Sequence, residues 1–161
     1  MKTLIFILSL LSINLYAAYP VKDFSTPQST FNYFLKTMKG YKLGDKNGLE
    51  LAKQTLNLKS IPKEAKSLVG EQSAIKLINT LDHLEYVDVS SMPDEKWILD
   101  NKEEKKWVYK TEVIEWNNDS YPVEISLENI GEKKPRWLFS EKTIETISLY
   151  ERSVRGNDLA K

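Results

Sequence analysis

Cysteine is absent from this 161-residue chain. That excludes a disulfide framework, a thiolate metal site and a cysteine nucleophile. Histidine occurs once, as His83, whereas Ser-His-Asp and Cys-His catalysis both need a histidine base. No Gly-x-Ser-x-Gly elbow, glycine-rich phosphate loop or dinucleotide fingerprint is present. An excess of one charge is missing too, because 23 Lys and Arg face 23 Asp and Glu. Without a basic surplus to neutralise phosphates, nucleic-acid binding is disfavoured. Long apolar runs are also scarce: the single one, Leu4 to Leu15, is shorter than the roughly 20 residues that span a bilayer core.

That run sits where an export signal would. Lys2 supplies a basic start, Leu4–Leu15 the short apolar middle, and Tyr16-Ala17-Ala18 the small-residue cleavage region. The expected signal peptide is residues 1–17, cut after Ala17 with Ala18 as the alternative. The mature chain then has about one net negative charge after loss of Lys2, no second apolar run of spanning length, and a periplasmic location. Asn118-Asp119-Ser120 is formally an N-glycosylation triplet, but is read as a polar hairpin tip.

The remainder divides into an extended lead-in over 18–25, one α+β domain over 26–156 and a tail over 157–161. Thr26-Pro27 carries the cap and first-turn residues of a helix. Phe31, Phe34, Leu35 and Met38 then share one face, and Gly40 is the expected stop. A loop over Gly44–Gly48 leads to a second helix with Leu49, Ala52 and Leu56 inward. A third helix follows Gly70, with Ala74, Leu77, Ile78, Leu81 and Leu84 at helical spacing. Tyr86–Val89 reads as a short strand. Trp107–Trp116, the alternating Tyr121/Val123/Ile125/Leu127 and Trp137–Phe139 read as three strands with short turns, an antiparallel meander. Ser140 caps a last helix running through Tyr150. The fold class is therefore α+β: three N-terminal helices on a small antiparallel meander, with a C-terminal helix.

Candidate chemistry is sparse. His83 stands two residues beyond Leu81, pointing away from the apolar stripe, and is read as a surface residue. Asp88, Asp94 and Glu95 flank a loop without the central glycine of a calcium site, and are read as a polar turn. Glu124 and Glu128 share one strand face about 13 Å apart by strand rise. That is too far for either glycosidase geometry, and cross-strand pairing of this face with Lys110 is the simpler reading. Metal, cofactor and catalytic residues are accordingly not expected. The prominent group is aromatic: Trp97, Trp107, Trp116 and Trp137, with Phe139, Tyr109 and Tyr121. These residues line a ligand pocket, form a docking patch, or cover the seam between helices and sheet. Trp116, Trp137 and Phe139 are the chosen contact or core residues.

Several of these pieces, in order, resemble a known pattern. They are Thr26-Pro27 with Thr30, Phe34-Leu35 and Met38; Leu51-Ala52 through Leu56-Asn57-Leu58; Gly70, Leu77, Leu81-Asp82 and Tyr86-Val87-Asp88; and Trp137-Leu138-Phe139-Ser140 with Thr143, Ile147 and Leu149-Tyr150. Together they are similar to the periplasmic N-terminal domain that precedes the membrane helices in a branch of the small-conductance mechanosensitive channel family. Asn57 stands where that pattern has Asp, and the sequence stops at Lys161, where membrane helices would begin. The resemblance implies an accessory, sensing or assembly domain with no pore and no catalytic residue, either free-standing or part of a split or shortened channel. The leading expectation is a non-catalytic periplasmic interaction domain whose partner is a membrane protein or another copy of itself. The alternative is an exported small-molecule-binding protein with the cone fold of the nuclear-transport-factor-like superfamily.

Overall fold

A computed structural model describes residues 19–84, 87–116 and 119–159, with side-chain surroundings for 19–84, 87–110 and 123–152. The expected signal peptide lies outside the described residues.

Helix α1 (Pro27–Lys42) begins as its sequence dictates. Thr26 accepts from Ser29 N at 2.9 Å and Ser29 Oγ takes the Thr26 amide, a reciprocal capping box with Pro27 in the first turn. Gly40 does not end it. The helix runs on to Lys42, and the chain turns at Gly44, whose φ of +98° a side chain would oppose. Helix α2 (Lys46–Lys53) is capped by Asp45 and starts earlier than expected, so Gly48 is helical. A Cβ there would fall 2.3 Å from Thr37 O; the glycine permits the close crossing of α1 and α2. Helix α3 (Lys66–His83) starts before Gly70 rather than after it; it buries Ala74, Leu77, Ile78 and Leu81 of the expected stripe, while Leu84 is its partly exposed C-cap.

The expected strand at Tyr86–Val89 is not observed in its described part. Val89–Ser91 is a 3-10 turn instead, nucleated by Asp88, whose carboxylate accepts from Ser90 N at 3.0 Å. The short helix α4 (Glu95–Asp100) follows, capped by Asp94. The sequence reading missed it because six residues are too few to show a period.

Strands β1 (Lys106–Trp116), β2 (Asp119–Asn129) and β3 (Trp137–Phe139) form an antiparallel sheet in that order. Trp107 opposes Leu127 and Tyr109 opposes Ile125, and each pair shares the core-facing side. The register slips between Lys110 and Val113, a bulge. Asn129 N bonds to Lys105 O at 2.8 Å. Antiparallel alternation then directs the backbone groups of Lys106, Val108 and Lys110 away from β2, to the open side of β1. Helix α5 (Glu141–Leu159) closes the fold and continues past Gly156.

One core joins all layers: Phe31, Phe34 and Met38 from α1, Leu77 and Leu81 from α3, Val123, Ile125 and Leu127 from β2, Trp137 and Phe139 from β3, and Ile144 and Ile147 from α5. The other face of β3 is covered as well. Leu138 packs with Phe24 and Tyr33 in a small second cluster beside Leu51. The expectation of helices packed on a meander with a C-terminal helix is what the structure contains.

Candidate functional site

The Trp137–Phe139 strand is core. Trp137 is 1% exposed and Phe139 fully buried. Phe139 stands edge-on to Phe31 and Phe34, with ring centroids 5.2 and 5.1 Å apart. Both strand edges are bonded. Phe139 N donates to Thr55 O at 2.8 Å, Asn57 N to Phe139 O at 2.9 Å, and Trp137 N to Phe24 O at 2.7 Å. Thr30 Oγ1 donates to Trp137 O at 2.8 Å. Trp137 Nε1 is buried without a hydrogen-bond partner among the described residues. The third chosen residue, Trp116, ends β1, and its side chain lies outside the described residues.

Ser140, which closes the Trp-Leu-Phe-Ser element, and Thr143 in the first turn of α5 do structural chemistry. Ser140 Oγ caps α5 by accepting from Thr143 N at 3.2 Å. Where β3 stops, β2 still presents the amide and carbonyl of Ser126. Thr143 Oγ1 accepts from that amide at 2.8 Å and donates to that carbonyl at 3.0 Å, and Ser140 N donates to the same carbonyl at 2.8 Å. The Ser126 hydroxyl joins Ser140 and Thr143, all three being at most 3% exposed. The start of α5 thus finishes the sheet edge that β3 leaves bare. Ser126 alternates with Glu124 and Glu128 on the polar side of β2, yet it is buried because this cap covers it.

The carboxylates resolve into local partners. Glu128 accepts from Asn57 Nδ2 and lies 3.4 Å from Glu141 N, while Glu124 reaches Lys142 at 3.8 Å. Lys110 opposes Glu124 in register, as the cross-strand reading had it. Asp88 and Asp94 each cap a helical turn. The Ser90 hydroxyl and amide beside Asp88 hold its carboxyl below the usual range despite some desolvation. No group of three His, Asp or Glu suited to a metal occurs among the described residues. His83 is exposed, with Nδ1 2.6 Å from Asn79 O. An open polar depression lies between Asp23, Thr26, Gln28, Ser29, Asp94 and Glu95 at the start of α1.

Besides Tyr19 and Tyr41 at the last turn of α1, three half-exposed aromatic residues fall in one stretch, 87–110. Val87, Val89, Trp97, Ile98, Trp107 and Tyr109 all pack against the core while remaining partly exposed. Trp97 stands edge-on to Trp137 at 6.2 Å, and Trp107 tilts against Tyr109 at 6.2 Å. Tyr109 in turn touches Phe31 at 6.0 Å. Burial, reinforced by the Asp88 charge, raises the Tyr109 phenol above its ordinary value. Leu99, on α4, is 66% exposed. Trp107 and Tyr109 thus form an aromatic margin on the outer strand β1, while Trp97 lies against β3 through Trp137. The margin's position was not legible in the sequence because Trp107 and Tyr109 alternate as core residues do, and only their place on the sheet's last strand leaves them half covered.

No helix among the described residues is long and apolar enough to cross a membrane. No family model, curated protein or solved structure matches the chain.

Proposed function

We propose that this chain is a non-catalytic interaction domain of the periplasm, comparable in role to the extramembrane domain of the mechanosensitive channels its sequence resembles, and that it grips a membrane-protein partner through the half-exposed aromatic residues of α4 and β1. The half-exposed aromatic set Trp97, Trp107 and Tyr109 carries this reading. Fully burying a large apolar side chain is worth about 1.5–3 kcal/mol. Residues left half covered hold part of that in reserve for a partner, and tryptophan and tyrosine dominate binding hot spots. By contrast Trp137 and Phe139 support the margin from beneath. The core between β2, β3 and α1 is filled by side chains in edge-on contact, which favours an outer contact surface over an enclosed ligand site.

The test is envelope pull-down with the wild-type chain and with a Trp97→Ala/Trp107→Ala variant whose folding is verified by thermal unfolding. A membrane protein recovered by the first and lost by the second is the expected result. Equal recovery by both refutes the aromatic margin, and recovery of none by the wild type refutes the interaction reading.

A further inference from the structure

At the opposite end of the chain, Tyr19 is fastened to the last turn of α1. Its hydroxyl donates to the Asp45 carboxylate, and a Cβ on Gly40 would meet its ring at 3.2 Å. The segment then runs back beside α1 to Phe24, whose ring is edge-on to Tyr33 at 5.3 Å. Beside this strap lies the outer stripe of α1, made of Asn32, Lys36, Lys39 and Leu43, all exposed and on successive turns. Leu43 is 79% exposed and Val21, on the strap, 89%. Lys22, Lys36, Lys39 and Lys46 have no carboxylate within ion-pair distance among the described residues; Lys42 alone is matched, by Asp82. The nearby acids Asp23 and Asp45 set two negative charges against these four lysines, and both are held by neutral donors. Asp23 accepts from Ser25 N at 2.9 Å, and Asp45 from Asn47 N at 2.9 Å and from Tyr19. In a chain with no formal net charge, this is a cationic face carrying two bare aliphatic side chains. The sequence places the apolar run Leu4–Leu15 just ahead of the fastened Tyr19.

We propose that this face rests on a bilayer surface containing anionic phospholipid, with the α1 lysines at the phosphate level and Leu43 and Val21 entering the interfacial layer. Lysine-rich faces concentrate at anionic bilayers and release with salt, and aliphatic side chains add apolar burial at the acyl boundary. The unbroken proximity of Leu4–Leu15 to Tyr19 delivers this same end to a membrane before any cleavage. The inference is independent of the aromatic margin, which belongs to other elements.

The core lies wholly within residues 24–150, so a chain beginning at Ala18 retains it. This chain is sedimented with vesicles of phosphatidylcholine alone and with vesicles containing about 30% phosphatidylglycerol, in low salt and in about 0.5 M salt. The expected result is binding to the anionic vesicles only, weakened more than about tenfold by the added salt. Lys36→Glu/Lys39→Glu lowers partitioning at least about tenfold and Leu43→Ser a few-fold. Lys133→Glu/Lys134→Glu, exposed on the β2–β3 turn, leaves it unchanged. Thermal unfolding confirms that each variant is folded. No binding to anionic vesicles, equal binding to both compositions, or equal loss in the turn variant overturns the proposal.

Discussion

Residues 87–110 and 123–150 are neighbours in the sheet and opposites in packing. The first stretch contributes the whole described side of β1 and helix α4, yet only Met92 and Pro93 are buried in it. The second buries Val123, Ile125, Leu127, Trp137, Leu138, Phe139, Ile144, Ile147 and Tyr150. Strand length does not track this difference. β3, three residues long, is covered on both faces and bonded on both edges. β1, eleven residues long, has an open side and half-covered aromatics. What fixes an element here is how many segments surround it. The inner stretch is enclosed, and the outer one stays half covered.

Five variants break or sharpen that contrast. Phe139→Ala removes the ring that joins α1 to the sheet and costs about 3–5 kcal/mol in denaturant unfolding, as large core truncations do. Thr143→Val keeps the shape but strands the buried Ser126 amide, costing about 1–3 kcal/mol; a Ser replacement at 143 recovers most of it. Asn57→Asp sets a carboxylate against Glu128 and lowers stability by about 1–2 kcal/mol at neutral pH. Repulsion raises the pair's folded-state pKa, so the deficit vanishes below the ordinary carboxylate range and grows as pH rises through the raised value. Unfolding midpoints measured across that range check the sign. Trp107→Ala, in the outer stretch, costs only about 1 kcal/mol because its ring is half exposed, whereas its effect on partner recovery exceeds that of any inner variant that still folds. Lys106→Thr/Lys110→Thr changes stability by less than about 0.5 kcal/mol. It also removes the charges guarding the open side of β1, so light scattering detects self-association that the wild type lacks.

The same contrast explains what could be read from the residues alone. Helix α3 and strand β2 have sustained periods of 3.6 and 2, and both are present, although α3 begins at Lys66, ahead of Gly70. Thr26-Pro27 and Ser140 were legible as caps because the chemistry of a helix start is local. Helix α4 was not, and the described part of the expected strand, Val87–Val89, is no strand. Valines favour strands, but the Asp88 carboxylate holds its own backbone in a tight turn instead. The burial of Ser126 was illegible for another reason. An alternating strand marks its polar positions as wet, and only the arrival of Thr143, 17 residues on, reverses that. Similarly, the pattern around Trp137 and Phe139 does not tell core from contact, and both side chains are buried. A tryptophan's burial depends on which strand lies outside it.

The wiring of β3 governs the order in which the molecule can assemble. Its three residues are bonded to Phe24 and Thr30 near one end of the chain and to Thr55 and Asn57 in the middle, with separations of up to 113 positions for Trp137 N to Phe24 O. During synthesis the early helices therefore wait with an apolar flank uncovered until residue 139 has emerged, and the final closure is a long-range, slow event. A polypeptide threaded outward before that moment would still be open, so late closure leaves a wide interval for passage through a narrow conduit.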